Sequence, residues 1–291
     1  MSVLRCEKLH KNYGTGAVLK ELELTLESGK IYGLLGRNGA GKTTLFSLLS
    51  NQVPSSHGRA TLDGEDIWEN RQAMDRIFFS RDLTSSVTEG LGRYTLDKYY
   101  RLAAIMLPHW DNEKARLLTE RFRLNRRTKL MNLSAGMCSM VANIVAISSG
   151  AEFTFMDEPV AGLDPVARAD FYRLLLEEFA ESGRTFVLST HIIEEAADIL
   201  EEVIFLKQGK LLLKENTQNL LSRAVSVSGR TDQVDAAVSQ LEHYPVDEIG
   251  RRKNVAVLLK PGEQVPAGYD VTVWPMSLQE VFVALCGKGE R

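Results

Sequence analysis

The chain has 291 residues, of which 44% are hydrophobic and 25% charged, and its formal net charge is −3. This composition is typical of a globular protein with one large domain and room for a small second one. The weakly negative charge provides no basic field for nucleic acid, so we expect no direct nucleic-acid binding. Three widely separated cysteines suit a reducing compartment and argue against a disulfide framework or a zinc site. Neither a secretory signal nor an apolar run of membrane-spanning length is visible, so a cytoplasmic protein is expected.

Strand and helix patterns alternate along the first two thirds of the chain. Short alternating runs before residue 30 predict antiparallel strands, and IYGLL (31–35) predicts a buried strand that leads into a helix. Between residues 91 and about 127, apolar spacings of three and four predict helices. Further strands are predicted at IFFS (77–80), FTFM (153–156), TFVLST (185–190) and a hairpin through Gln208 and Gly209. Strands that alternate with helices imply a mainly parallel sheet.

The composition changes at about Leu220. The remaining residues predict a small α+β appendage with the order β-α-β-β-α, in which Ser277 and Glu280 have the spacing of a capping box. We therefore divide the chain into a domain at 1–220 and a C-terminal domain at 221–291.

A glycine-rich segment follows the strand at 31–35. Its residues fit the pattern G-x-x-x-x-G-K-[ST], in which backbone N–H groups and the helix N-terminus cradle phosphate oxygens. The lysine would reach the outer phosphates, and the threonine would offer its hydroxyl to Mg2+. The segment therefore predicts a site for a nucleoside triphosphate. Its members are Gly36, Arg37, Asn38, Gly39, Ala40, Gly41, Lys42 and Thr43, with Thr44 after them.

Two adjacent carboxylates end the strand at FTFMDEP, namely Asp157 and Glu158. Because successive side chains of a strand point to opposite sides, the two can have different roles. Asp157 would bind Mg2+ through water, and Glu158 would polarise the attacking water. An ordinary strand with an acidic turn is the alternative, and the phosphate-binding segment upstream makes it the weaker one.

Three further sites lie in short motifs. Ser134 and Gly136, in NLSAGM, begin an apolar helix whose free N–H groups can bind an anion, although Ser134 could be a simple N-cap. Asp164 lies in AGLDP, and His191 follows the strand at 185–190. A histidine at a strand end is more often structural, but here it stands where a γ-phosphate sensor would be useful.

With these motifs in this order, residues 1 to about 220 resemble the nucleotide-binding subunit of an ABC transporter. The resemblance implies an ABC ATPase fold of the P-loop NTPase class, with an antiparallel β subdomain and a helical subdomain. It also implies ATP and Mg2+ as ligands and a head-to-tail homodimer that encloses two ATP molecules. Tyr13 resembles the aromatic residue that stacks on adenine, and Asp164 resembles the D-loop aspartate. Ser134 and Gly136 resemble the LSGGQ signature, which caps the γ-phosphate of the opposite subunit.

The resemblance also implies the chemical roles. Lys42, Glu158 and His191 are expected to be catalytic, with Glu158 as general base and His191 as the switch histidine. Thr43 and Asp157 are expected to bind the metal ion. The third expected metal-site residue is Asp82.

Three departures from the family pattern matter. The usual glutamine after the strand IFFS is replaced, with Asp82 nearest by register and Arg81 as the alternative. The signature is LSAGM instead of LSGGQ, so the methyl group of Ala135 and the missing glutamine could weaken closure. Val160 and Ala161 stand where Thr or Ser is common, which is a milder change.

Several segments, among them LPHWDNEKARLLTERFRL and STHIIEEAADIL, resemble antibiotic-resistance and YtrB-like ABC ATPases. This resemblance implies an exporter whose membrane part is a separate permease, so the chain would lie at the inner face of the cell membrane. The alternatives are a soluble ABC ATPase of ribosomes or DNA, a P-loop kinase, and a weakly hydrolysing ATP-dependent sensor. We expect the appendage to be a packing or dimer-stabilising unit more than a ligand sensor, so its removal should leave ATP binding intact.

Overall fold

The computed structural model describes residues 1–14, 16–81, 83 and 90–287. The strands are β1 (Val3–Asn12), β2 (Ala17–Glu27), β3 (Ile31–Leu35), β4 (His57–Leu62), β5 (Glu65–Asp66), β6 (Ile77–Ser80), β7 (Phe153–Asp157), β8 (Thr185–Ser189), β9 (Glu202–Lys207), β10 (Lys210–Asn216), β11 (Ala224–Arg230), β12 (His243–Ile249), β13 (Arg252–Leu258) and β14 (Val271–Pro275). The helices are α1 (Lys42–Leu49), α2 (Arg71–Met74), α3 (Leu96–Met106), α4 (Asn112–Arg121), α5 (Ala135–Ser148), α6 (Pro165–Ser182), α7 (Ile193–Ala196), α8 (Thr217–Arg223), α9 (Thr231–Val238) and α10 (Leu278–Cys286). Among the described residues, no helix is both long enough and apolar enough to cross a membrane.

The central sheet has the strand order β10-β9-β3-β8-β7-β6. Its pairs are parallel except for β9 with β10, which confirms the predicted, mainly parallel sheet. Strands β3 and β8 are buried at every position because the sheet is covered on both faces, as their continuous apolar sequences indicate. The predicted hairpin is also present, and Gln208 and Gly209 both have positive φ in its turn (51° and 79°).

A second sheet, with the order β2-β1-β4-β5, is antiparallel and confirms the strands predicted at the N-terminus. Its apolar face shares one core with α1 and with central-sheet residues such as Phe155 and Ile204. Helix α1 is therefore held between the two sheets. The phosphate-binding segment lies at the start of that helix.

Helices α3, α4 and α5 form a group beside the central sheet, and α3 and α4 confirm the helices predicted between 91 and 127. Thr95 and Asp111 cap the N-termini of α3 and α4. An ion-pair network joins this group to α6: Lys114 of α4 lies 2.6 Å from Glu178, which lies 2.5 Å from Arg184.

The C-terminal part contains a sheet with the order β12-β13-β11-β14. The predicted order β-α-β-β-α was incomplete, because β12 lies between α9 and β13. This strand is at the edge of the sheet, contains Pro245 and is largely exposed, so it lacks the apolar pattern of a core strand. The capping box of Ser277 and Glu280 is confirmed at the start of α10.

Candidate active site

The phosphate-binding segment connects β3 to α1, as the sequence predicted. A Cβ atom at Gly36 would lie 2.6 Å from the carbonyl oxygen of Leu206, so the loop packs directly on the end of β9. Gly41 has φ 107°, and a Cβ atom there would lie 2.7 Å from the side chain of Leu19. Gly39 has open space around it but a φ of 79°, so its backbone conformation alone favours glycine. The glycines therefore serve both close packing and backbone geometry.

The loop borders a cleft of about 470 Å³. Lys42 is buried, and its Nζ donates a hydrogen bond to the carbonyl oxygen of Gly36 at 2.6 Å. The ammonium group is thus held inside the loop, where anionic oxygens would replace the carbonyl as its partners. The cleft is lined by Val18, Asn38, Gly39, Ala40, Gly41, Lys42, Thr43, Thr44, Asp157 and Glu158.

Thr43 and Asp157 meet in this cleft. The hydroxyl of Thr43 donates a hydrogen bond of 2.6 Å to Oδ2 of Asp157, and the hydroxyl of Ser189 donates to Oδ1 of the same carboxylate. Within the described residues, no group of three or more His, Cys, Asp or Glu side chains could hold a metal ion by itself. A hydroxyl and a carboxylate nevertheless fit Mg2+, which prefers oxygen ligands and takes substrate phosphates as further ones.

Glu158 and His191 form a pair at the same edge of the central sheet. Glu158 has φ 50°, and its backbone N–H donates to the carbonyl and hydroxyl oxygens of Ser189 at 3.1 and 3.0 Å. Its Oε2 lies 2.7 Å from Nδ1 of His191 and accepts from the His191 backbone N–H at 3.3 Å. Because the carboxylate oxygen accepts in this contact, Nδ1 of the imidazole is its donor. The histidine side chain is 65% exposed and its ring is therefore accessible.

The signature residues lie at the start of α5, outside the phosphate-loop cleft of their own chain. Ser134 is the N-cap and accepts from the Met137 N–H at 3.2 Å. A Cβ atom at Gly136 would lie 2.7 Å from the carbonyl oxygen of Gly162, and Ser139 donates to the Ala161 carbonyl at 2.5 Å. Helix α5 is thus tied to the segment between Glu158 and Asp164.

Asp164 caps the N-terminus of α6, where its carboxylate accepts from the N–H groups of Val166 and Ala167 at 3.0 and 2.9 Å. Tyr13 is half-exposed on the β1–β2 turn, and the ammonium of Lys11 lies 4.9 Å from its ring centroid. The Tyr13 N–H donates to the Gly16 carbonyl at 3.4 Å within this hairpin, and Val18 of the same hairpin lines the cleft.

Of the two residues that could replace the usual glutamine, Asp82 lies outside the described residues. Arg81 is exposed, and its guanidinium donates to Oε1 of Gln52 at 3.4 Å. It lines a second cleft, of about 270 Å³, together with Asp157 and Glu158. Arg81 is therefore close to the two carboxylates.

Comparisons with known proteins agree with this geometry. The sequence profile of the family described as ABC transporter matches residues 19–161. The chain is 32% identical to the taurine import ATP-binding protein TauB of Escherichia coli O157:H7, and the match covers 85% of this chain and 97% of TauB. The chain belongs to the ABC transporter ATP-binding proteins. It is an ABC ATPase, an ATP-binding and ATP-hydrolysing protein of a family whose members form dimers and work with membrane permeases.

Other relatives of this ABC ATPase match it from end to end. Identity is 25% to the ABC transporter ATP-binding protein YtrB of Bacillus subtilis, over 99% of this chain and 100% of YtrB, which confirms the predicted YtrB-like resemblance. Identity is 29% to the Nod factor export ATP-binding protein I of Cupriavidus pinatubonensis, over 100% of this chain and 92% of the relative. The fold resembles a dimeric ATP-binding cassette solved in a post-hydrolysis state with ADP and Pi (TM-score 0.64, 20% identity, 74% of this chain and 98% of that one). The predicted ABC ATPase fold is confirmed.

Sequence reasoning missed one polar residue of this candidate site, Ser189. Ser189 contacts both Asp157 and the backbone of Glu158, yet only His191 was selected from the STH motif. The sequence feature that could have indicated Ser189 is its position at the end of β8. Strand β8 pairs with β7, and Ser189 lies opposite Asp157.

Proposed function

We propose that this chain is the ATP-hydrolysing subunit of an ABC exporter and that two copies close head to tail over two ATP molecules. One observation carries the proposal. The side chains of Thr43, Asp157, Glu158 and His191 form hydrogen-bonded pairs at the edge of the central sheet that carries the phosphate-binding loop.

The proposed chemistry follows from these contacts. The loop amides and Lys42 would hold the phosphates, and Tyr13 would stack on the adenine. Thr43 and Asp157 would hold Mg2+, whose bound charge offsets that of the phosphates. Glu158 would accept a proton from the attacking water, while His191 fixes the Glu158 carboxylate through Nδ1–H beside the γ-phosphate. We propose Asp82 as a further metal-site residue, from the sequence alone.

The dimer would complete each site. Ser134 and Gly136 lie away from their own cleft and present the first turn of α5, whose free N–H groups favour an anion. In a head-to-tail pair they would contact the γ-phosphate bound by the partner. Asp164, at the start of α6, would lie between the two sites, and the ties from α5 to residues 161–162 would connect them.

We further propose a separate transmembrane permease as partner, a position at the cytoplasmic face of the membrane, and export as the direction. The match to the Nod factor exporter covers 100% of this chain, whereas the match to the taurine importer covers 85%. Similarity over the whole chain to an export protein supports this direction. In the same proposal, 1–220 is the ATPase domain and 221–291 a separate C-terminal domain.

The dimer is tested by light scattering of the Glu158→Gln variant with Mg-ATP. We expect the mass to rise from one chain of 32.5 kDa to twice that value on ATP addition. The double variant Lys42→Met, Glu158→Gln is the control and should stay monomeric. A Glu158→Gln protein that binds ATP and remains a monomer would contradict the sandwich dimer and favour the weakly hydrolysing sensor.

A further inference from the structure

The last helix of the chain packs on the ATPase part of the molecule. The ring of Phe282 in α10 meets the ring of Phe205 in β9 edge-on, with centroids 5.9 Å apart and planes at 86°. The buried face of α10 shares one core with Phe205 and with Ala196 of α7, the helix that follows His191. This buried face consists of Leu278, Val281, Leu285 and Cys286.

The carboxyl end of α10 is capped by two cations from the ATPase part. Carbonyl groups in the last turn of a helix lack helical partners and carry partial negative charge. None of the residues in the last turn of α10, all of them described, is basic. Lys207, at the end of β9, donates from Nζ to the carbonyl of Leu285 at 2.8 Å, and Arg37 donates to the carbonyl of Gly287 at 3.1 Å.

Both cations belong to the structure that supports the phosphate-binding loop. Arg37 is in the loop, and Lys207 follows Leu206, whose carbonyl oxygen leaves no space for a Cβ atom at Gly36. On the other side of Lys207, the Gly209 N–H donates to the carbonyl of Ala40 at 3.1 Å. The end of β9 and the turn after it therefore contact the loop at Gly36 and at Ala40, and α10 contacts the same strand end through Lys207.

The helix and the loop also enclose a cleft of about 490 Å³, which includes His191, Gln208 and Cys286. Burial raises the pKa of the Cys286 thiol, and the charges of Lys207 and Arg37 oppose that rise. Two positive charges thus face the end of α10 from the loop side.

We propose that Lys207 is a positioning residue that, together with Arg37, fixes the phosphate-binding loop against the carboxyl end of α10 and so raises the affinity for ATP. The proposal rests on the proposed function, since it assumes that this loop binds ATP. A loop that is ordered before binding loses less conformational entropy when the nucleotide enters. Coupling between two binding events is reciprocal, so ATP must in turn stabilise the docked α10. The C-terminal residues would then affect ATP binding, contrary to the expectation that their removal leaves it intact.

The first test uses a fluorescent ATP analogue to compare the ATP dissociation constants of the unmodified protein and three variants. Lys207→Met should weaken ATP binding by about fivefold or more, the lower end of typical coupling between sites. Lys207→Arg keeps a donor for the Leu285 carbonyl and should restore the affinity. Lys253→Met is the matched control, because Lys253 pairs with Asp235 at 2.5 Å inside the C-terminal part and should not change ATP binding.

The second test is hydrogen exchange of the α10 amides with and without ATP. In the unmodified protein, ATP should slow exchange at 282–287, and this slowing should be lost in Lys207→Met. Equal ATP affinity of Lys207→Met and the unmodified protein, or α10 exchange that ATP leaves unchanged, would overturn the proposal. If Lys207→Met fails to fold, the proposal is judged by the unmodified protein alone, in which ATP must slow hydrogen exchange at 282–287. Failure of the unmodified protein to bind ATP would instead refute the proposed function.

Discussion

The carboxylate of Glu158 lies 2.7 Å from Nδ1 of His191, although the two residues follow different strands of the central sheet. Because β7 and β8 are parallel neighbours, their carboxyl ends meet at one edge. The turn at Glu158, with φ 50°, directs its backbone N–H to Ser189 and its carboxylate to the histidine. The proposed general base is therefore oriented by hydrogen bonds to groups of the protein itself.

Glu158→Gln should lower the rate of ATP hydrolysis by roughly 100-fold or more, which is the usual range for loss of a general base. The glutamine keeps an acceptor for His191, so the local geometry and ATP binding should persist. The measurement is phosphate release at saturating Mg-ATP. Glu194→Gln, at an exposed position of α7, is the control and should hydrolyse ATP at the unmodified rate. A Glu158→Gln rate above one tenth of the unmodified rate would refute the assigned role.

Thr43→Val should raise the Mg2+ concentration that gives half-maximal hydrolysis. The valine has nearly the shape of threonine, but it removes the hydroxyl that lies 2.6 Å from Asp157. Thr43→Ser retains the hydroxyl and should require the same Mg2+ concentration as the unmodified protein. A magnesium titration of the hydrolysis rate checks this, and identical titration curves for Thr43→Val and Thr43→Ser would contradict the proposed metal site.

Gly136→Ala should reduce the rate of ATP hydrolysis much more than it reduces the affinity of the monomer for ATP. Its new Cβ atom would lie 2.7 Å from the Gly162 carbonyl, so the segment before Asp164 must shift. Because α5 is proposed to act on the partner's ATP, the defect should appear in ATP-dependent dimer formation. Ala135→Gly changes the adjacent residue toward the usual signature and should strengthen dimer formation instead. Normal dimer formation by a folded Gly136→Ala protein would show that the signature does not work as proposed.

Glu178→Ala should lower the free energy of unfolding by about 3–5 kcal/mol, because it removes the carboxylate that pairs with the buried guanidinium of Arg184. Glu178 is 4% exposed and lies 2.6 Å from Lys114 and 2.5 Å from Arg184. Glu181 contacts the same lysine but is 72% exposed, so Glu181→Ala should cost about 0.5 kcal/mol or less. Urea unfolding of both variants measures the difference. An equal loss of unfolding free energy in the two variants would contradict this account, because burial of Glu178 would then not strengthen its ion pairs.

Local features of this chain could be predicted from its sequence. The glycines of the phosphate loop, the apolar strands of the central sheet and the caps at Ser134 and Ser277 depend on residues close together in the chain. These predictions agree with the structure because the sequence pattern and the contacts that it predicts lie in the same segment of the chain.

Contacts between distant segments could not be predicted in the same way. The bond from Arg37 to Gly287 joins residues 250 positions apart, and no pattern in either segment indicates it. Ser189 was overlooked because its partner Asp157 is on another strand. Strand β12 was missed because an exposed edge strand carries little apolar periodicity.

The most direct test of the central claim is steady-state ATP hydrolysis measured against protein concentration. If each site requires the signature of a second copy, the rate per chain must rise with concentration until the dimer is saturated. The Glu158→Gln protein should show no such rise. A rate per chain that is constant across concentrations at which the protein is monomeric would contradict the account, because hydrolysis would then need only one copy.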